Sequence, residues 1–163
     1  MHPFLTATRL IASCLALCLA ACGGGNPPPA PSASMPAAQQ EAVSRIGDVT
    51  IRATALQTSA LAPEVASRYG IARDDRTIML LVGVRQGPDA EAVALPATVT
   101  VTATPLGGTT QTLVLRELRS DGLLDYVGTV ETSLPDTLRF DIRIVREGGA
   151  SSTMQFSREF YPR

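Results

Sequence analysis

From Ile46 to Arg163 the chain is cut into short segments in which apolar and polar residues alternate, with turn residues every 10–14 positions. A period of two marks strands that bury one face. The cleanest run is Thr137–Glu147, where Leu138, Phe140, Ile142 and Ile144 alternate with Thr137, Arg139, Asp141 and Arg143. A first strand is predicted over 47–56, with Val49, Ile51, Ala53 and Ala55 facing one way and Thr50, Arg52 and Thr54 the other. Thr77–Gln86 is apolar on both faces, which predicts a central strand. Leu95–Leu118 predicts a hairpin about Gly107-Gly108, a pair that tolerates the positive φ of a tight turn. Ser120-Asp121-Gly122 turns the chain into Leu123–Thr132, and Leu134-Pro135-Asp136 turns it again. Gly148-Gly149 leads into Ser151–Tyr161, where Met154, Phe156 and Phe160 share a face. Pro63–Tyr69 carries the one helical signal: Pro in the first turn, Glu64 beside it, and Gly70 as a stop.

These segments give seven strands in about 116 residues. A single flat sheet of that size would leave an apolar face wet, so two packed sheets are expected. The predicted fold is all-β: a seven-stranded antiparallel immunoglobulin-like sandwich with one short helix, lacking the Cys and Trp hallmarks of antibody domains. A small β-barrel is the alternative.

The first 45 residues differ in kind. Residues 1–21 have the form of an export signal: Arg9 without acids, then a twelve-residue apolar run from Leu10 to Ala21. That run is too short to span a hydrocarbon core, which takes about 20 helical residues. Residues 22–45 follow as a tether, with five Pro between positions 27 and 36 and no large aliphatic residue before Val43. Such a stretch buries too little apolar surface to offset the entropy of ordering it. As a coil it reaches roughly 25 Å, and at full extension about 70 Å. The domain is assigned to 46–163.

Leu19-Ala20-Ala21-Cys22 resembles the lipobox of bacterial lipoproteins. That resemblance implies cleavage between Ala21 and Cys22, lipidation of the Cys22 thiol and acylation of the new amine. Two or more acyl chains anchor a protein stably, whereas one binds only marginally. Gly23, standing where an Asp would favour the inner membrane, implies the outer membrane with the domain facing the periplasm. The lipid bilayer and an envelope protein are the expected partners. A second resemblance covers roughly residues 46–161. Pro63-Glu64-Val65-Ala66, Tyr69-Gly70-Ile71 and Arg73 are similar to a motif of a proteobacterial family of small exported domains of unknown function. Leu138-Arg139-Phe140 and Gln155–Phe160 match that family too. It implies a single domain and supplies no activity.

Composition then narrows the chemistry. All fourteen basic residues are Arg, no Lys occurs, and the single His is His2. Cleavage would discard His2, Cys14 and Cys18 and leave thirteen Arg against fifteen acids. There is no concentrated basic face for nucleic acid. A Ser or Cys nucleophile normally needs a His or Lys base, and zinc and other transition-metal sites need His or Cys ligands, usually several. No cofactor or metal is expected, and no enzyme activity.

The remaining candidates are carboxylates, Arg, Tyr and hydroxyls. Asp74 and Asp75, with Glu64, are the residues a carboxylate-dependent hydrolase would use. Glu117, Asp121 and Asp125 surround a turn without the spacing of a calcium loop. Thr98, Thr100, Thr102 and Thr104 form a row on one strand face, as Thr's β propensity favours. Tyr69, with Arg68 and Arg73, is the candidate interaction surface, since Tyr and Arg are common interface anchors. The expected role is a non-catalytic interaction or accessory module, with a carrier of a lipid or small apolar ligand as the other alternative.

Overall fold

The computed structural model describes residues 41–120 and 122–163. The signal segment, Cys22, Asp121 and the tether up to residue 40 therefore lie outside the described residues. No helix among the described residues is long and apolar enough to cross a membrane.

Two antiparallel sheets make the fold. The first has the order β1 (Ala42–Ile46), β2 (Val49–Gln57), β3 (Thr77–Gln86), β8 (Leu123–Glu131), β7 (Arg116–Ser120). In it β4 (Val93–Ala94) pairs with the end of β3 that β8 leaves uncovered. The second has the order β10 (Ser151–Phe160), β9 (Asp136–Arg146), β5 (Ala97–Pro105), β6 (Gln111–Leu113). The sheets are not closed into a barrel, so the sandwich is the architecture.

The alternation sets the core. Ile51, Ala53 and Ala55 of β2, Ile78, Leu80, Val82 and Val84 of β3, and Leu124, Tyr126 and Val130 of β8 face inward from the first sheet. Val101 and Ala103 of β5 and Leu138, Phe140, Ile142 and Ile144 of β9 face them from the second. Phe140 stacks on Phe156 with ring centroids 5.1 Å apart. Tyr126 spans the layers, its hydroxyl accepting the amide N–H of Ala97 at 2.8 Å.

The described residues form ten strands where the pattern predicts seven. β1 forms inside the stretch assigned to the tether, because an edge strand buries little and Val43-Ser44-Arg45-Ile46 carries only a faint alternation. The return arm after Gly107 is not one strand but two. β6 pairs with β5, then the chain crosses at Val114-Leu115 and β7 joins β8 in the other sheet. Gly128 permits that crossing, since a Cβ there would lie 2.7 Å from Leu115 Cδ2 and 3.0 Å from the Val114 carbonyl oxygen.

α1 (Pro63–Arg68) has Pro in its first turn and ends as predicted at Gly70, with φ +60°. Ile71 N–H donates to Ala66 O at 2.9 Å and Gly70 N–H to Ser67 O at 3.1 Å, the paired bonds of a Schellman stop.

Candidate functional site

The motif segment and the crossing strand meet on the outer face of the first sheet. Gly70, Ile71 and Ala72 line one side of an open groove of about 360 Å³, with Val114 and Arg116 also on its wall and Thr77, Val127, Gly128 and Glu131 along it. The Arg116 guanidinium donates through Nη2 to the Tyr69 carbonyl oxygen. Tyr69 is half-buried at the helix end, and Arg68 is exposed. Arg73 instead turns back, donating through Nη2 to Ser59 O at 2.8 Å. The three candidate interaction residues thus share one corner, but Arg73 is spent on holding its own loop. Val114, 89% exposed, was not a candidate from the pattern, since an alternating run gives no sign of where a strand leaves its sheet.

Several of the candidate carboxylates hold the fold, whereas Asp75 and Glu64 face solvent. Asp74 Oδ1 accepts Arg76 N–H at 2.7 Å, and its backbone bonds to the Thr58 hydroxyl from both sides, Asp74 N–H donating at 2.9 Å and its carbonyl accepting at 3.0 Å. Asp75 and Glu64 are exposed, and the Asp75 carbonyl accepts Gln57 Nε2 at 2.9 Å. Glu117 and Asp125 stand on opposite faces of the sheet, because Glu117 pairs with Tyr126 whereas Asp125 pairs with Leu118. Period-two geometry therefore separates the set around the 120–122 turn. Glu117 binds Arg119 at 2.7 Å, and Asp125 binds Arg85 at 2.6 Å. The Arg85–Asp125 pair lies over Gly83, where a Cβ would come within 2.8 Å of Asp125 Oδ1. Among the described residues no group of three His, Cys, Asp or Glu is placed to hold a metal ion.

At one end of the sandwich, Arg76, Gln111, Glu131, Thr132, Ser133 and Asp136 surround a polar cavity of about 320 Å³. Asp136 organises it. Oδ1 accepts Thr137 N–H at 2.7 Å and Leu106 N–H at 3.1 Å, and Oδ2 accepts the Thr132 hydroxyl. Leu106 N–H also donates to Thr137 O at 3.0 Å, so the loss falls on Thr137 N–H and the buried Thr132 hydroxyl, where an unmade bond costs about 1–3 kcal/mol when buried. Asp136→Ala is expected to lower stability by about 2 kcal/mol and Asp136→Asn by roughly half that, read as thermal midpoints by circular dichroism.

The threonine row lies on the outer face of the second sheet, with Thr100 opposite Arg143 and Thr102 opposite Asp141. A shallow cavity of about 410 Å³ opens there over Thr100, Thr102, Asp141, Arg143, Thr153 and Gln155. Asp141 is held by Arg139 Nε at 3.2 Å and by the Gln155 amide, while Arg143 stays exposed. The cavity around Asp136 draws its lining from strands of both sheets, whereas the one over Thr100 and Thr102 is lined by strands of the second sheet alone.

Among the described residues, the buried charge Arg158 is not one of the sequence candidates. Arg158 is only 7% exposed, on the inner row of β10 opposite Leu138. Burial pushes its guanidinium below its ordinary pKa. Its signal was present: Met154, Phe156 and Phe160 fix the inner parity, and Arg158 shares it.

A family model described as a domain of unknown function, DUF4426, matches residues 43–163. Among solved structures, a DUF4426 family protein from Pseudomonas aeruginosa is 27% identical, with a TM-score of 0.64 over 76% of this chain and 96% of that one. FetP of uropathogenic Escherichia coli strain F11, produced recombinantly in the periplasm, is 11% identical, with a TM-score of 0.50 over 76% of this chain and 94% of that one. At that identity the second likeness is one of fold. No curated protein matches the chain.

Proposed function

We propose, starting from the fact that this chain belongs to the DUF4426 family, that it is a non-catalytic interaction module held in the bacterial envelope by a lipidated Cys22. The observation that carries the reading is chemical. Residues 42–163 contain no His, Lys or Cys, and the acids best placed to replace them, Asp74, Asp125, Asp136 and Asp141, already accept hydrogen bonds from Arg side chains, amides or backbone N–H groups. A carboxylate acting as general base is usually poised beside a second titratable group; Asp74, Asp125, Asp136 and Asp141 each commit at least one oxygen to holding the fold, and Asp75 and Glu64 stand exposed to solvent. The lipobox Leu19-Ala20-Ala21-Cys22 and the Pro-rich segment after it supply an anchor and a spacer. Gly23 favours the outer membrane, with the sandwich facing the periplasm. The Arg68, Tyr69 and Arg116 corner, beside exposed Val114, is the first surface on which to look for a partner.

Crosslinking in cells followed by mass spectrometry tests the interaction role: a specific envelope protein coupled at this corner supports it, and turnover of a substrate by the purified protein overturns it. Anchoring has its own test. Cys22→Ala is expected to move essentially all of the protein from the membrane to the soluble fraction, and unchanged membrane association contradicts the lipid anchor.

A further inference from the structure

Every open sheet risks pairing with another chain along its outer strands, and proteins blunt those strands with charge, Pro, bulges or shortness. Three of the four edges here are blunted. β6 has three residues, β1 has five and carries Arg45, and β7 carries Arg116, Glu117 and Arg119 within five. β10 is different. It runs for ten residues, pairs with β9 from Ser151↔Val145 to Phe160↔Asp136 without a bulge, and has no charge or Pro from Ser151 to Ser157. Its other side has no strand partner among the described residues.

We propose that β10 is a self-association edge, on which a second copy of this chain adds its own β10 antiparallel, making one continuous eight-stranded sheet from the two four-stranded ones. A two-fold axis normal to the sheet must pair residues of like parity. Centring it on Gln155 gives Thr153↔Ser157, Ser151↔Glu159, Met154↔Phe156 and Ser152↔Arg158. No like charges meet in that register, and thioether meets ring. Ser152 adds an independent pointer: it is 7% exposed, and its Oγ has no hydrogen-bond partner among the described residues. The register sets it opposite Arg158 of the second copy, a donor for that oxygen. Moving the axis to Phe156 would instead set Arg158 against Met154 and Ser152 against Phe160, placing a charge and a hydroxyl against apolar groups. A single pair of strands buries less than a standard stable interface. Lipid anchoring would strengthen it by raising the effective concentration of the two copies. The inference gives the proposed interaction module a partner, yet its test does not depend on the anchor.

The test is Gln155→Cys in the full-length chain, expressed in its own envelope. Directly opposed residues in antiparallel strands lie within the Cα separation a disulfide needs. A non-reducing gel should show a band of twice the mass that reductant collapses, absent from the parent chain and from Thr100→Cys in mid-sheet. Adding Thr153→Lys and Ser157→Lys opposes like charges across the axis and should cut the yield about tenfold, by roughly 1.4 kcal/mol. Should Gln155→Cys fail to fold, the Thr153→Cys, Ser157→Cys pair takes its place, since those positions face each other. A folded cysteine variant with no doubled band overturns the proposal, as does a band that joins the chain to a different protein. Cell fractionation of Cys22→Ala separately reads the anchor, so failure of one claim is distinguishable from failure of the other.

Discussion

Replacing Phe140 by Ala is expected to cost about 4 kcal/mol, the middle of the range for emptying a buried aromatic site. Phe140 is fully buried at the middle of β9, stacked on Phe156 and paired on its other side with Ala103. Ala103 is too small to fill the gap, so most of the cavity should persist. A domain of this size is stable by only about 5–15 kcal/mol, so the loss removes much of that reserve. The thermal midpoint should fall by about 15 °C. A shift under about 3 °C would mean that the sheets can collapse onto each other. The conservative Phe140→Leu, which retains most of the volume, should lose roughly half as much.

Gly128→Val is expected to be nearly as damaging, for the opposite reason. The added atoms have no room between β8 and the crossing segment, where Leu115 Cδ2 would be 2.7 Å from the new Cβ and the Val114 carbonyl oxygen 3.0 Å. The leucine tip can swing away, but the carbonyl belongs to the backbone and cannot. Overpacking of this kind costs about 3 kcal/mol. The crossing from β6 to β7 would be the part displaced, together with the groove that Val114 and Arg116 line. Chemical denaturation of Gly128→Val, Leu115→Ala and the double variant separates the contributions. Partial rescue in the double variant, by about 1 kcal/mol, shows that the side-chain clash is one part of the cost and the backbone the rest. Additive losses would refute the contact.

The inner rows were legible from the sequence because a strand's side chains alternate wherever the strand is placed. Leu138, Phe140, Ile142 and Ile144 could be assigned to the core without knowing what they pack against. The same rule contained Arg158, which follows Met154 and Phe156 on the inner face of β10. A buried guanidinium runs against the expectation that Arg faces water, and only the packed structure shows that this one does not. The 113–115 run was misleading for a related reason. Leu113 and Leu115 keep perfect alternation while the chain changes partner from β5 to β8. The information that permits this sits at Gly128, thirteen positions further on. Among the site candidates, Tyr69 and Arg68 remain at a surface corner, whereas Arg73 is taken up by Ser59 and Glu117 is separated from Asp125 by the plane of the sheet.

Taken alone, the sequence determined the properties that reside in single residues and their local order. It determined a strand-rich chain with one capped turn of helix, a lipobox-like Cys22 after an apolar run, and a domain without imidazole, thiol or amine. The tertiary structure decided what depends on residues distant in the chain: which sheet each strand joins, which acids meet an Arg, which edge stays open and which charge lies inside. The physical reason is the range of the forces concerned. Side-chain alternation and helix capping are fixed by the geometry of a few adjacent peptides. Sheet membership and ion pairing follow from close packing across the sandwich, where an absent Cβ at Gly128 or Gly83 sets what can approach.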